Sequence, residues 1–406
     1  MKIALIDPAL YTIPYDQALL NGLQAAGHEV TLFGKVAEAG GEQWEIPGLN
    51  AHFHRYIRNI REKSVPRAVF LAARGLSHLE GMWRLPTALR RLRPDIIHLQ
   101  WTPLPAVDAM VLPRLRRIAP LVLTIHDTNY LNGAVSSHLV KLGGDRIHTF
   151  FDHLIVHTED ARRKLMARGL GHKDISIVPH GLLHEGELPA PRSRPAGAPL
   201  NLLQFGKIKP YKGVDVLIDA VAQIPATLRH RLRVHVVGKP ILVDGDDLIE
   251  RAHRLGVDDT IVFRFGFVPR EEMVGLIGLA DMLALPYREI DGSGVLMTAI
   301  AAGRPVIATR TGVFAELLEH DCNALLAEPG DSASLATQLS RLLAQDDLLA
   351  TLTVGAQALQ AATPSWIEIA HQTAAIYNGL FKVSTVPAMP LPEETPHGIT
   401  PRQHRH

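Results

Sequence analysis

Short apolar runs and helical stretches alternate along this chain in two consecutive series. An apolar run followed by a helix-like stretch predicts a βα unit, and repeated units predict a parallel sheet. In the first series the predicted strands are 3–6, 29–33, 95–101, 121–125, 153–157 and 175–178. In the second series they are 200–205, 232–237, 260–265, 282–285 and 305–308. The alternation predicts an α/β protein.

Local signals mark the ends of some helices. Asp16 is predicted to cap the first helix and Gly27 to end it, because a short polar side chain accepts amide hydrogen bonds and glycine tolerates a left-handed backbone. Thr158 is predicted to cap a helix over 159–168.

A proline-rich segment, HEGELPAPRSRPAGAP over 184–199, separates the two series. Its prolines exclude regular structure and favour an extended connector. We therefore predict two doubly wound Rossmann-like domains facing a cleft. The predicted order is an N-terminal domain over 1–185, a linker over 186–199, a C-terminal domain over 200–364, a closing helix over 365–382 and a disordered tail over 383–406.

The near balance of charge limits the partners of the chain. Its 42 Lys and Arg residues face 41 Asp and Glu residues, a net charge of +1, which argues against nucleic acid as a partner. Its single cysteine, Cys322, forms no internal disulfide and favours a reducing compartment, and no metal site is predicted. No apolar run has the length of a membrane span. We therefore expect a cytoplasmic protein.

A lysine-rich loop, FGKIKPYKG over 205–213, follows the first strand of the second series. Gly206 allows close approach to the backbone, and Lys207 with Lys212 can neutralise one diphosphate through charge-assisted hydrogen bonds. The loop is not a Walker sequence. On spacing alone, lysines that merely solvate a surface loop explain it equally well.

A second anion-binding candidate is PYREIDGSG over 286–294, after the strand 282–285. Ser293 is a predicted N-cap, and the amides and dipole at the start of the following helix favour a phosphate. Ligands of open parallel sheets bind at the carboxyl ends of the strands, so both candidates are expected to meet one ligand. An ordinary capped turn is the alternative.

The order of motifs resembles that of glycosyltransferase family 4, retaining enzymes of the GT-B architecture, over nearly the whole chain to about Phe381. In the first domain the resemblance rests on AGHEV (26–30), PDIIH (94–98) and TIHD (124–127). In the second domain it rests on the lysine-rich loop, FGFV (265–268), AD (280–281), AAGRPVIAT (301–309), TG (311–312) with Glu316, NALL (323–326) and PGD (329–331).

This resemblance implies transfer of a sugar, with retention, from a nucleotide diphosphate sugar bound by the second domain to an acceptor held by the first. The leaving diphosphate needs positive charge and N–H donors. Lys207, Lys212 and the turn at Ser293 and Gly294 are expected to supply them, without a divalent ion or other cofactor. The resemblance also implies that His126 positions and polarises the donor sugar, whereas spacing alone suggests a structural imidazole at the end of a strand.

The chain departs from the family at its usual pair of glutamates. Ile290 and Thr298 occupy those positions, so Thr298 is expected to bind the ribose more weakly, and Glu289 or Asp291 to approach the sugar. The predicted donor-binding residues are Gly206, Glu289, Asp291, Ser293, Gly294, Val295 and Thr298. The family's glycine-rich N-terminal loop is replaced by YTIPYD over 11–16, which predicts a different acceptor mode.

Positive charge is concentrated over residues 55–93, which hold ten Lys and Arg residues against two acids. Interleaved apolar residues such as Val69, Leu76 and Trp83 give part of this stretch an amphipathic character. It is a candidate contact with anionic lipid on the inner face of the plasma membrane, or with a lipid-linked acceptor. A solvated helix face is the alternative.

The expected acceptor is a glycan, a glycolipid or a lipid-linked molecule of cell-envelope polysaccharide or glycoconjugate synthesis. The missing glutamates leave a second hypothesis open, a non-catalytic nucleotide-sugar-binding or scaffolding protein of the same fold. A sugar epimerase or phosphorylase shares the two-domain architecture, but no local signature favours either. A nicotinamide dehydrogenase is disfavoured because no G-x-G-x-x-G follows the first strand of either series.

Overall fold

The computed structural model describes residues 1–36, 46–57, 65–129, 144–183, 188–191 and 198–384. Within these ranges the chain forms two α/β domains, each around its own sheet, and the strands of both sheets pair in parallel. The predicted fold class is confirmed. Parts of the predicted linker and of the basic stretch, together with the tail from residue 385, lie outside the described residues.

The N-terminal sheet has the order β3-β2-β1-β4-β5-β6-β7. Its strands are β1 (Lys2–Ile6), β2 (Glu29–Lys35), β3 (Leu49–Phe53), β4 (Ile96–Leu99), β5 (Leu121–Ile125), β6 (His153–Val156) and β7 (Ile175–Ile177). The central strands are almost wholly buried, which is why their sequences read as continuous apolar runs. The sequence did not predict the edge strand β3, whose first residues are partly or fully exposed.

The C-terminal sheet has the order β10-β9-β8-β11-β12-β13. Its strands are β8 (Leu200–Phe205), β9 (Leu232–Gly238), β10 (Ile261–Phe265), β11 (Met282–Leu285), β12 (Val306–Thr309) and β13 (Ala324–Ala327). Strand β13 was also missed, because its four apolar residues were interpreted only as part of a motif. In both sheets the strand order reverses beside the first strand, which opens a crevice at the carboxyl ends of the strands.

Helices cover both faces of the two sheets. Those of the N-terminal domain are α1 (Ile13–Ala25), α2 (Arg67–Leu92), α3 (Pro105–Asp108), α4 (Leu112–Arg116), α5 (Gly144–Ile147) and α6 (Glu159–Leu165). The later helices are α7 (Val214–Gln223), α8 (Ala226–Arg229), α9 (Gly245–Arg254), α10 (Arg270–Leu279), α11 (Gly294–Ala301), α12 (Gly312–Leu317), α13 (Ser332–Ala344), α14 (Leu348–Ala362) and α15 (Trp366–Ser384).

The predicted helix ends were partly correct. Thr158 caps α6 by accepting a hydrogen bond from the amide of Ala161 at 3.1 Å, and Gly27 follows α1 with φ +84°. The prediction that Asp16 caps α1 was wrong. The helix begins earlier, at Ile13, where proline suits the first turn, and Asp16 lies inside that turn, fully buried.

The C-terminal helix α15 packs against the N-terminal domain. The Tyr377 hydroxyl lies 2.6 Å from Nδ1 of buried His98, and the Trp366 indole N–H donates to the Leu182 carbonyl at 2.8 Å. A Cβ at Gly22 of α1 would lie 2.4 Å from the Trp366 carbonyl oxygen. Glycine at this position therefore allows the two helices to pack closely.

Candidate active site

The carboxyl edges of the two sheets face each other across a cleft. Thr128, just after β5, donates from its amide and its hydroxyl to Oδ2 of Asp291, just after β11, both at 2.6 Å. A Cβ at Gly292 would lie 3.3 Å from the His126 carbonyl oxygen. The two predicted sets of functional residues thus meet at one place.

Lys212 is a buried cation on the C-terminal side of this cleft, with 7% of its surface exposed. Burial, with help from the charges of Lys209 and Lys207, lowers the pKa of Lys212 to about 7. Its ammonium group lies 5.2 Å from the centre of the Tyr287 ring, and among the described residues no carboxylate pairs with it. A buried ammonium without a counter-ion is costly unless an anion binds there.

The second anion-binding candidate lies beside this ammonium group. Ser293 caps α11, as predicted, by accepting from the Leu296 amide at 3.2 Å. A Cβ at Gly206 would lie 3.3 Å from Nζ of Lys212 and 3.7 Å from Cγ2 of Val295. Gly206 therefore leaves open the space between the lysine and the start of α11, where helix amides have no intrahelical acceptor.

The remaining predicted donor-side residues differ in solvent exposure. Lys207, Glu289 and Gly294 are exposed. The Thr298 hydroxyl donates to the Gly294 carbonyl at 2.9 Å, and Ile290 is buried and apolar. Glu289 is therefore an exposed acid in this turn, whereas neither family glutamate position carries an acid.

Asp291 is engaged across the cleft. Besides the two bonds from Thr128, its Oδ1 accepts from Nζ of Lys164 on α6 at 2.5 Å. Burial raises the pKa of Asp291, but the bonds from Lys164 and Thr128 outweigh it and hold that pKa below its ordinary value. In this conformation the carboxylate joins the two domains, and its predicted role at the sugar stays a prediction.

Asp127 lies beside this bridge. Its Oδ1 accepts from the Asn129 amide at 2.8 Å and so caps the turn after β5. Burial, and then the charge of Asp291, raise the pKa of Asp127 to about 7. Below that pH the protonated carboxyl can donate to Asp291 without repelling it.

The comparisons with known proteins match these two halves separately. Residues 17–184 match the model described as Glycosyltransferase Family 4, and residues 199–345 match the model described as Glycosyl transferases group 1. The chain belongs to the family 4 glycosyltransferases.

This glycosyltransferase is 33% identical over 251 residues to a D-inositol 3-phosphate glycosyltransferase of Streptomyces bingchenggensis. The matched segment covers 58% of this chain and 54%, about half, of that enzyme. Among solved structures it matches sucrose-phosphate synthase from Thermosynechococcus elongatus (20% identity, TM-score 0.72) and Anabaena HepE in complex with UDP and glucose (19%, 0.69). Each of these two matches covers 94% of this chain and 100% of the solved chain. These structures show the shared GT-B fold.

His126 of the glycosyltransferase lies in an aromatic layer on the N-terminal wall of the cleft. Its ring stacks on Trp101, with centroids 5.3 Å apart and an interplanar angle of 17°, and meets the edge of Tyr15 at 4.7 Å. Burial, and then the neighbouring His157 and His180, lower the pKa of His126 well below its ordinary value. The ring is therefore neutral at physiological pH.

Hydrogen bonding fixes which nitrogen of His126 carries the proton. Nδ1 of His157 donates to the Val178 carbonyl at 2.9 Å, so Nε2 of His157 accepts from Nδ1 of His126 at 3.2 Å. Nε2 of neutral His126 then carries the lone pair. The structure places Oε1 of Gln100 3.1 Å from this nitrogen, so the Gln100 amide must be turned to offer its NH₂ group instead. Both ring nitrogens are engaged within the domain, which suits a positioning role.

Sequence reasoning missed the bridges between the domains of the glycosyltransferase. Glu316, on α12, accepts from the amides of Glu159 and Asp160 at the start of α6, at 3.0 and 2.5 Å. It was noted only as part of a motif. Lys164 gave no signal, because an exposed lysine on a helix is usually solvated.

Proposed function

We propose that this glycosyltransferase moves a sugar, with retention, from a nucleotide diphosphate sugar to an acceptor hydroxyl held by the N-terminal domain. The observation that carries the proposal is the buried ammonium of Lys212, which pairs with no described carboxylate and lies beside Gly206 and the start of α11. This pocket suits a diphosphate, because charge and oriented amides converge there. The UDP and glucose bound to Anabaena HepE support the same donor class.

In the proposed step the bond between the anomeric carbon and the diphosphate breaks, and the acceptor oxygen bonds to that carbon on the same face. The acceptor proton passes to the departing phosphate oxygen. Lys212, Lys207 and the amides of Gly294 and Val295 stabilise the negative charge that develops there, without a divalent ion. Only interactions that strengthen as this charge develops accelerate the reaction.

The other predicted residues take supporting roles in this proposal. Glu289 is the exposed carboxylate of the donor turn and faces the sugar. Thr298 binds the ribose, and Ser293 holds the start of α11. His126 positions the sugar from the opposite wall, where its carbonyl lies against Gly292.

Calorimetric titration with UDP, GDP, ADP and dTDP tests the donor site. We expect one of these diphosphates to bind and its uncharged analogue to bind poorly. Lys207→Ala should weaken binding by about 1.5 to 3 kcal/mol, the usual size for a charged hydrogen bond. Full affinity in that variant would remove Lys207 from the site. Binding without release of free diphosphate from any nucleotide sugar would favour the scaffolding alternative over an enzyme.

The acceptor we propose is a glycan, a glycolipid or a lipid-linked molecule at the inner face of the plasma membrane. On helix α2, Val69, Leu76 and Trp83 are exposed at seven-residue intervals and so share one face. The guanidinium of Arg114 lies 4.4 Å from the Trp83 ring. Within the described ranges, no helix has the length and apolar character needed to cross a bilayer.

Flotation with vesicles at low salt tests this membrane contact. We expect the protein to float with anionic vesicles and to remain behind with neutral ones, since arginines around an exposed apolar stripe attract anionic headgroups. Leu76→Ser should reduce flotation, whereas Val354→Ser, at an equally exposed site on α14, should not. Equal recovery with both kinds of vesicle would show that α2 is only a solvated face.

A further inference from the structure

A cavity of about 390 Å³ lies at the amino edge of the N-terminal sheet, away from the cleft. Pro94 leads into β4 and Ile118 lies shortly before β5, whereas the cleft follows the carboxyl ends of these strands. This volume is within the range of small-molecule sites, roughly 300 to 1,000 Å³. We call it the arginine cavity, because its lining consists of Pro94, Ile118 and four arginines, Arg90, Arg93, Arg114 and Arg117.

The four arginines have no counter-charge among the described residues. All four are exposed, and no acid lines the cavity. Within the described ranges, no ion pair or hydrogen bond engages any of their guanidinium groups. Asp95, two residues after Arg93, accepts from the Lys2 amide at 2.7 Å, and Asp152 pairs with Arg116 of α4. Four like charges therefore line one cavity.

The ends of two helices balance only part of this charge. Arg93 directly follows α2 and Arg117 directly follows α4, so the carbonyl ends of both helices lie at the cavity. A helix C-terminus carries at most about half a negative charge, so two of them leave about three of the four positive charges uncompensated. The Arg114 guanidinium lies 4.4 Å from the centre of the Trp83 ring, which orients this group without neutralising it.

The backbone is strained at one of these arginines. Arg93 has φ +54°, and its amide N–H donates to the Leu89 carbonyl at 2.8 Å, which ends α2. Glycine is the usual residue at a helix end of this shape, because a side chain is disfavoured there. An arginine at this position adds both backbone strain and like charge to the cavity. Strain of this kind is concentrated at sites that hold a ligand.

We infer that the arginine cavity binds a ligand carrying at least two phosphate groups close together. Guanidinium groups match phosphate oxygens in geometry and bind them through paired hydrogen bonds. One phosphate monoester carries a charge of about −1.5 to −2, so a second phosphate group is needed to balance the cavity. This site goes beyond the proposed function, because it lies at the opposite sheet edge and takes neither donor nor acceptor.

Calorimetric titration with inorganic tripolyphosphate and with inorganic phosphate tests the site. The titrated parent is the Lys212→Met protein, in which the donor pocket lacks its buried cation. We expect tripolyphosphate to bind at least about tenfold more tightly than phosphate. Arg93→Gln combined with Arg117→Gln should weaken tripolyphosphate binding by about tenfold or more, the usual effect of losing charged hydrogen bonds.

A matched control removes the same charge from a neighbouring cavity. Arg55 and Arg91 are exposed and line that second cavity. Arg55→Gln combined with Arg91→Gln should weaken tripolyphosphate binding by less than about twofold, because exposed charges interact weakly at a distance. Thermal unfolding checks that both double variants fold. Tripolyphosphate should raise the Tm of the parent and of this control, but not that of the variant at Arg93 and Arg117.

Vesicles distinguish a free ligand from a lipid headgroup. Cardiolipin carries two phosphate groups in one molecule and phosphatidylglycerol carries one, so vesicles of equal charge test whether the phosphates must be paired. Tripolyphosphate binding without a preference for cardiolipin would assign the site to a free ligand. A cardiolipin preference that the variant at Arg93 and Arg117 loses would assign it to a lipid. No preference for paired phosphates in either experiment, or equal losses in the two double variants, would overturn the site.

Discussion

Replacing Lys212 with methionine should weaken binding of the nucleoside diphosphate by about 1.5 to 3 kcal/mol and leave the fold at least as stable. The ammonium group is buried beside Gly206 and has no counter-ion among the described residues. Methionine keeps the volume of the side chain and removes the desolvated charge. Replacing a buried charge by an apolar side chain of similar volume often leaves protein stability unchanged or increases it. Calorimetry and thermal unfolding of the same variant measure both effects.

The pKa of Lys212 also determines how binding of the nucleoside diphosphate depends on pH. Burial lowers the pKa of Lys212 to about 7 in the free protein, and the diphosphate binds the charged form. Affinity should therefore fall as pH rises through 7. Because this folded-state pKa lies below the unfolded value, the free protein loses stability as pH falls from about 10.4 toward 7, and Lys212→Met removes that loss.

A matched control keeps this prediction specific. Lys239→Met removes an exposed lysine that follows β9 at the same sheet edge, and it should leave affinity and its pH dependence nearly unchanged. If Lys212→Met unfolds at a lower temperature and retains full affinity, the ammonium is structural and the donor pocket lies elsewhere.

Asp291→Ala should open the cleft and lower kcat/KM by roughly 10- to 100-fold, as expected for the loss of charged hydrogen bonds. This carboxylate accepts two bonds from Thr128 and one from Lys164, at 2.5 to 2.6 Å. Its removal leaves Lys164 with Asp160 alone, 2.7 Å away on its own helix. Small-angle scattering should show a larger radius of gyration in the variant.

A double-mutant cycle distinguishes bridging from a direct role at the sugar. If Asp291 acts through Lys164, the variant with Asp291→Ala and Lys164→Met should show a coupling energy of about 0.5 to 3 kcal/mol in unfolding and in catalysis. Asp219→Ala, which breaks an ion pair with Arg251 inside the C-terminal domain, should not change the scattering. Unchanged scattering with lost activity in Asp291→Ala would assign the carboxylate to the sugar instead.

Local patterns allowed much of this structure to be predicted. The buried strands, the cap at Ser293 and the lysine loop depend on periodicity and on the chemistry of neighbouring residues. The bridge from Thr128 to Asp291 joins residues 163 positions apart, and no local pattern shows which distant side chains meet. The same reason hid the stacking of His126 on Trp101, because the two rings follow different strands.

The two crossings of the chain between the domains are fastened together at Trp366. Its indole N–H donates to Leu182 at 2.8 Å, and a Cβ at Gly181 would lie 2.6 Å from its ring. The two connections between the domains therefore meet at one point. A rotation about this point that separates Asp291 from Thr128 keeps the two sheet edges in register, so the same hydrogen bonds can form again when the domains close.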